Sequence, residues 1–192
     1  MHGDLAVTGS PDADQFLNTD PLAVLIGMLL DQQVPMEWAF TGPYTLQQRL
    51  GGTLDATKIA AMDPDEFLAI CKGPPAIHRF PGSMGKRVQA LAQAIVDDYG
   101  GDAEAIWRDV ESGAELRRRL LALPGYGPDK TSIFIALLAK RLGVRPDGWQ
   151  EAAGPFADAT PRSVADIDSP ESLARVRQWK QAQKAQGKSK SD

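Results

Sequence analysis

The sequence predicts an all-α protein, and two observations carry the prediction. Several segments begin with a capping residue followed by proline in the first turn, which is a frequent start of an α-helix. These pairs are Asp20-Pro21, Asp63-Pro64, Gly127-Pro128 and Ser169-Pro170. No segment shows the sustained two-residue alternation of apolar and polar residues that indicates a strand. We therefore expect about eight to eleven helices.

Helical spacing of the apolar residues places these helices along the chain. The N-terminal half is expected to form helices over residues 21–34, 36–50, 64–71 and 83–99. The apolar run within the first of them predicts a buried helix. The segment 72–85 contains three prolines and three glycines, so it cannot be helical throughout.

The C-terminal half is expected to form helices over residues 112–122, 128–143 and 170–180. A second irregular stretch covers 143–156. No apolar residue with a large side chain follows Trp179, so residues 180–192 are expected to form a disordered tail.

Composition excludes several classes of protein. The chain of 192 residues has one cysteine, Cys71, which excludes a disulfide framework and a four-cysteine iron–sulfur site. Its two histidines and one cysteine do not supply a metal site of the usual kind, so we expect no cofactor. The longest apolar run is shorter than the roughly 20 residues of a membrane span, and the N-terminus does not resemble a signal peptide. These features predict a protein of the bacterial cytoplasm.

Charge is distributed unevenly along the chain, although the net charge is only −4. Residues 1–71 carry 2 basic and 10 acidic side chains, whereas residues 72–145 carry 12 basic and 8 acidic side chains. The middle segment is therefore positive. A local positive field is sufficient to bind phosphates, because screening limits each charge to about 10 Å at ordinary salt.

A glycine-rich turn lies within this positive segment. The helix 112–122 is followed by Pro124, Gly125, Tyr126 and Gly127, after which a new helix begins. Glycines permit a tight turn and a close approach of another backbone, and the N-terminus of the second helix presents N–H groups that bind anions. The alternative is an ordinary helical corner with a glycine cap.

The segment 123–137, LPGYGPDKTSIFIAL, resembles the helix–hairpin–helix of the base-excision DNA glycosylase (HhH-GPD) superfamily. Two further segments are similar to parts of that family. The segment 25–40 resembles an early helix that ends in a glutamine-bearing turn near DNA, and 80–95 resembles the segment that carries a wedge residue. The resemblance covers about residues 20–150. It implies an all-α, two-lobed fold in which a DNA cleft lies between a helical barrel and a second lobe.

The resemblance also implies a catalytic aspartate after the second hairpin helix. Asp147 lies 18 residues after Asp129 and matches the family spacing. Cleavage of an N-glycosidic bond builds positive charge on the sugar, and a nearby carboxylate stabilises that charge or orients a water molecule. Asp147 can also cap a short helix, and the two roles are compatible.

One departure from the family pattern bears on the type of reaction. Asp129 occupies the position at which the lyase-competent branch carries its Schiff-base lysine, and Lys130 is one residue late. One residue along a helix rotates a side chain by about 100°, so Lys130 is expected to miss the sugar. We therefore expect a monofunctional enzyme without the iron–sulfur cluster.

Further residues are assigned to DNA contact by the resemblance. Backbone binding is expected at Gly125, Tyr126, Gly127 and Lys130. A wedge or gap-filling residue is expected at Met84, which is placed at a loop tip, or at Gln33 with its neighbour Gln32. The alternatives are an ordinary core methionine at Met84 and a polar helix end at the two glutamines. An extruded base requires a pocket in which aromatic faces can stack. The candidates for that pocket are Trp38, His78, Tyr126 and Trp149, and the alternative for each is an ordinary core or surface residue.

The predicted organisation has two lobes and a tail. Residues 22–125 form the barrel, residues 1–21 and 126–179 form the second lobe, and 180–192 form the tail. The expected activity is removal of a damaged or mispaired base from double-stranded DNA by a monomer. Two other interpretations stay open: a non-catalytic helix–hairpin–helix DNA-binding module, and a protein-interaction domain that uses the acidic N-terminal segment.

Overall fold

The computed structural model describes residues 1–189 and confirms the all-α prediction. The described chain forms ten α-helices: α1 (Pro11–Thr19), α2 (Pro21–Leu30), α3 (Met36–Arg49), α4 (Ala56–Ala61), α5 (Pro64–Lys72), α6 (Pro81–Tyr99), α7 (Gly113–Leu121), α8 (Pro128–Arg141), α9 (Trp149–Ala153) and α10 (Pro170–Ala185). Three short 3-10 turns are Ala103–Ile106, Gly154–Ala157 and Val164–Asp166. Residues 1–189 contain no strand, and one isolated bridge joins Ser112 to Asp147.

Local capping explains where several helices begin. The Asp20 side chain accepts a hydrogen bond from the Ala23 N–H at the start of α2, and the Asp63 side chain caps α5. Ser169 caps α10 in the same way. Each cap satisfies N–H groups that have no partner within the helix. All four predicted capping-residue–proline pairs therefore stand at helix starts.

The core is built around α2 and α8. Every residue of α2 from Leu22 to Leu30 is buried, and α2 packs on α1, α3 and α6. Every residue of α8 from Ile133 to Ala139 is buried as well, and α8 packs on α7, α9 and the turn Val164–Asp166. Each fully buried leucine or isoleucine side chain stabilises the fold by about 1.5–3 kcal/mol relative to an exposed one. Within residues 1–189, no helix has the length and apolar character needed to cross a bilayer.

The packing separates the helices into neighbourhoods. Helices α4 and α5 lie against α6, whereas α7, α8 and α9 contact one another. The N-terminal segment joins the C-terminal part of the chain, because the Asp4 N–H donates to the Arg141 carbonyl and the Ala6 N–H to that of Ile167. The division into lobes at residues 21/22 and 125/126 stays a prediction.

The C-terminal segment differs from the sequence prediction. Helix α10 continues to Ala185, so the expected disordered tail does not begin at residue 180. Arg177 forms an ion pair with Glu37, and Lys180 Nζ lies 2.9 Å from Met36 Sδ. These contacts order the segment even though it lacks large apolar side chains. Residues 190–192 of the predicted tail lie outside the described residues.

Candidate functional site

The hairpin between α7 and α8 is shaped by Gly125. This residue has φ +84°, a conformation in which a side chain is strained. A Cβ atom built on Gly125 would lie 2.3 Å from Leu29 Cδ1 at the end of α2. The turn therefore packs directly on α2, and the fold itself accounts for glycine at this position.

Neither a positive φ nor close packing explains the glycine at position 127. Its φ is −86°, and a Cβ atom built on it would meet nothing within 4 Å. Gly127 is the N-cap of α8, and no side chain caps the helix there. The first N–H groups of α8 therefore face an open surface, which is the arrangement that binds an anion at a helix N-terminus.

Tyr126 is buried beneath the hairpin, which corrects its assignment to a base pocket. Its side chain is 4% exposed, and its hydroxyl donates a hydrogen bond of 2.8 Å to the Leu25 carbonyl. Burial raises the pKa of this phenol well above its usual value, so the hydroxyl stays a donor. The ring packs edge-on against Phe134. A base cannot stack on a ring in this position.

Lys130 points back into the protein rather than out towards a phosphate. Its Nζ donates to the carbonyl oxygens of Met28 at 2.7 Å and Leu29 at 2.9 Å. These carbonyls lie in the last turn of α2, where a cation is favoured by the helix dipole. The side chain of Lys130 therefore ties the start of α8 to the end of α2.

A cavity of about 320 Å³ lies where these two helix ends meet. Its walls combine apolar and charged side chains, namely Met28, Asp31, Asp129, Lys130, Ile133, Phe156 and Ser189. The volume is sufficient for a nucleobase or a sugar. Sequence reasoning did not identify this cavity, because Met28, Ile133 and Phe156 are ordinary core residues by pattern.

Asp31 stands at the C-terminal end of α2, where its backbone N–H closes the last turn. A carboxylate at this end of a helix faces the negative end of the dipole, which costs about 0.3–1 kcal/mol. The ammonium of Lys130 lies at the same helix end and offsets part of this electrostatic cost. Within residues 1–189, no hydrogen bond or ion pair engages the Asp31 carboxylate. Asp31 also borders a second cavity, between the turn 31–37 and α10.

The turn after Asp31 is held by its neighbours. His78 Nε2 donates to the Gln32 carbonyl at 2.9 Å, while His78 Nδ1 accepts from the Phe80 N–H. The Gln32 side chain accepts from Arg87 and donates to the Leu29 carbonyl. Gln33 is exposed and has φ +59°, an uncommon conformation for a residue other than glycine. Gln33 thus lines the second cavity from a strained backbone conformation.

The wedge expected at Met84 is not placed as the sequence suggested. Met84 lies in the first turn of α6 and is 4% exposed, because α6 begins at Pro81 and turns this side chain into the core. The exposed apolar side chain of this region is Phe80, at 44% exposure. The Arg79 guanidinium lies 5.4 Å from the centre of its ring.

None of the four predicted pocket residues lines the cavity. His78 is 1% exposed and has both ring nitrogens bonded within the protein. Trp38 lies on the surface of α3 and donates from Nε1 to the Ala76 carbonyl. Trp149 begins α9 and packs partly against the core. Tyr126 is buried, as described above.

Asp147 lies at the opposite end of the hairpin helices from the cavity. Its backbone N–H donates to the Glu111 carbonyl, and its own carbonyl accepts from the Gly113 N–H at 2.7 Å. Both partners flank the start of α7, one helix of nine residues, or about 13 Å, from the hairpin. The side chain is exposed, and the N-cap of α9 is Gly148 rather than Asp147. From the sequence we expect Asp147 on the rim of a cleft between two lobes, and the structure joins its loop, 143–148, to the start of α7.

Comparison with known proteins gives a match that covers most of the chain. The matching description is HhH-GPD superfamily base excision DNA repair protein, over residues 26–191. The chain belongs to this superfamily. No curated protein and no solved structure matches it. The HhH-GPD match includes the turn 31–33, the hairpin and α10, so every wall of the cavity lies within it.

Membership of the HhH-GPD superfamily gives this chain a role in base excision DNA repair, with DNA as its partner. The hairpin at Gly125 and Gly127 lies within the matched residues. Asp31 was missed by sequence reasoning, although one signal was present: an acidic residue directly after an apolar helix, beside Gln32 and Gln33. The burial of His78 carried no local signal, because its partner lies 46 residues away.

Proposed function

We propose that this protein is a DNA glycosylase that extrudes a damaged or mispaired base and hydrolyses its N-glycosidic bond. One observation carries the proposal: the cavity beside the hairpin holds two carboxylates and an ammonium between apolar walls. An HhH-GPD protein that only bound DNA would need the hairpin but no such cavity. The reaction needs both, because the phosphate must be anchored while the base leaves the stack.

The cavity is suited to a single nucleotide. Met28, Ile133 and Phe156 offer apolar contact to a base, and the carboxylates of Asp31 and Asp129 lie on the same cavity. Positive charge develops on deoxyribose as the glycosidic bond breaks, and a carboxylate in a partly enclosed site stabilises it more strongly than in water.

Hydrolysis without strand cleavage is supported by the state of Lys130. A Schiff base requires a free amine, whereas this ammonium donates to two helix carbonyls. Asp129, which holds the lyase position of the family pattern, cannot form a Schiff base. Both features favour a monofunctional enzyme.

Extrusion of a nucleotide leaves a gap in the duplex that a side chain must fill. Gln33 and Phe80 are both exposed, and the His78 bonds hold their two loops together. We assign the gap-filling role to these two residues. Arg79 and Arg87 supply positive charge for the flanking phosphates.

A non-catalytic DNA-binding module is the second candidate. The position of Asp147 favours it, because the carboxylate that matches the family spacing is remote from the cavity. A panel of duplexes, each with one lesion or mismatch, separates the two functions. The glycosylase converts at least one duplex to abasic sites that alkali then cleaves. A module binds these duplexes and releases no base from any of them.

A further inference from the structure

The carboxylate of Asp31 occupies a position that the fold does not explain. It lies at the unfavourable end of α2, and within the described chain it makes no side-chain hydrogen bond or ion pair. The next two residues are equally constrained: Gln32 is fixed through three of its polar atoms, and Gln33 adopts a positive φ. The Asp31 carboxylate at a helix C-terminus and the positive φ of Gln33 are both locally unfavourable, and such choices are typical of functional positions.

The position of Asp31 relative to the two cavities is also specific. Asp31 borders both the cavity at Lys130 and the cavity between the turn 31–37 and α10. It therefore stands at the point where a nucleotide would pass from the exposed turn into the enclosed site. The aspartate chosen from sequence, Asp147, borders neither.

The other carboxylate of the cavity has an ordinary structural explanation. Asp129 lies in the first turn of α8, where the helix dipole stabilises an acidic side chain. It is exposed and follows Pro128 at the surface of the hairpin. Asp31 is more enclosed and has no comparable stabilisation from its own helix.

We infer that Asp31 is the catalytic carboxylate of this site, an inference that rests on the glycosylase function proposed above. The electron pair of the glycosidic bond leaves with the base, and the carboxylate stabilises the cationic sugar. Water then adds its oxygen to C1′. The proton that the water loses passes through the Asp31 carboxylate to the departing base nitrogen, so the products are the free base and an abasic sugar.

Asp31→Asn tests the inference without disturbing the fold. Asparagine is nearly isosteric with aspartate and is accepted at helix C-termini, so the melting temperature is expected to hold or rise. Single-turnover base release, on the duplex that the lesion panel identifies, is expected to fall about 10²–10³-fold. Asp147→Asn, at an exposed position away from the cavity, is the matched control and is expected to keep base release within about tenfold of wild type.

A binding measurement gives a readout that a structural role would not change. One duplex carries a pyrrolidine abasic mimic, which is cationic, and another carries a neutral tetrahydrofuran mimic. Wild type is expected to prefer the cationic duplex by about tenfold or more, because it resembles the charged transition state. Asp31→Asn should lose this preference, whereas Asp147→Asn should keep it.

The outcomes separate the inference from the proposed function. If wild type releases base and Asp31→Asn releases it at the same rate, or keeps the preference for the cationic duplex, the Asp31 assignment is wrong and the glycosylase function stands. If wild type releases no base from any duplex of the panel, the glycosylase function is wrong and the assignment fails with it.

Discussion

Lys130 Nζ lies 2.7 Å from the carbonyl oxygen of Met28, so a residue in the first turn of α8 completes the last turn of α2. The two residues are 102 positions apart in the chain. This bond joins the hairpin to the apolar helix at the centre of the core. It also fixes the two walls of the cavity relative to each other.

Lys130→Met is expected to lower the free energy of unfolding by about 1.5–3 kcal/mol, the range for hydrogen bonds from a charged donor. Methionine keeps the length of the side chain and removes the ammonium. Urea unfolding followed by circular dichroism measures the change. Lys86→Met, at an exposed position, is the control and should change stability by less than about 0.5 kcal/mol. Equal effects of the two substitutions would contradict the role of Lys130.

Borohydride is expected to trap no covalent adduct between this protein and abasic DNA. Asp129 cannot form a Schiff base, and the Lys130 ammonium is bound to carbonyls. Gel electrophoresis after reduction measures the adduct. A trapped band that disappears in Lys130→Ala would show that the enzyme is bifunctional and that the lysine leaves its carbonyl partners when DNA binds.

The two hairpin glycines are expected to respond differently to substitution. Gly127→Val should lower stability by only about 0.5 kcal/mol, because the added Cβ meets nothing within 4 Å and the cost is that of a less favourable N-cap residue. It should weaken binding to every duplex by about tenfold, since phosphate contacts carry no sequence information. Fluorescence anisotropy with several duplexes measures this effect.

Gly125→Ala is the matched substitution. It should lower stability by at least about 1 kcal/mol, because φ is +84° and the methyl group would contact Leu29.

A Gly127→Val variant that binds DNA normally would remove the hairpin from the proposed interface.

Cys71 is expected to resist thiol reagents in the native protein. Burial raises the pKa of its thiol to about 12, and its side chain is fully enclosed. Because the raised pKa keeps the group a neutral thiol, reactivity should stay low across pH 6–9 and appear only on unfolding. Timed labelling with a chromogenic disulfide, with and without urea, measures it. Rapid native labelling would contradict the burial of this residue.

Because Cys71 does not react in the native protein, labelling of an introduced cysteine can test whether the C-terminal segment restricts access to the cavity. Ser189 lines the cavity, and the Arg177–Glu37 ion pair holds α10 across the turn 31–37. In an Ile133→Cys background, which places a thiol on the cavity wall, Arg177→Glu should speed labelling about two- to fivefold.

The charge-swapped pair supplies the control for that measurement. Adding Glu37→Arg to Arg177→Glu restores an ion pair of opposite sense and should return labelling to its original rate. Unchanged labelling in Arg177→Glu would mean that α10 does not restrict access to the cavity.

Features set by neighbouring residues were predictable from sequence. Asp20 and Ser169 cap helices through hydrogen bonds within three residues, so their roles follow from local spacing. Gly125 and the hairpin followed from a short motif in the same way. The predicted start of α6 was late by two residues. Because of that small error, Met84 was predicted at a loop tip, whereas it is buried in the core.

Features set by distant contacts were not predictable. His78 is hydrogen-bonded to the Gln32 carbonyl, and Tyr126 to the Leu25 carbonyl. In both cases the partner is decided by the packing of segments far apart in sequence. The surroundings of Asp147 are also decided by contacts between segments distant in the sequence. Its spacing from the hairpin is local information, whereas its direction depends on the pairing of the loop 143–148 with residues 111–113.

That pairing has a mechanical consequence. Gly113 lies so close to the loop that a Cβ atom on it would meet the Gly148 carbonyl oxygen at 2.5 Å, and the hairpin is seated on Leu29 at the other end. The helix pair α7–α8 is thus held at one end by a backbone contact that side-chain rotation cannot release, and at the other end by the Leu29 side chain. The opposite wall of the cavity, the turn 31–33, is held by side-chain bonds from His78 and Arg87. We therefore expect the turn 31–33, rather than the helix pair α7–α8, to adjust to different duplexes.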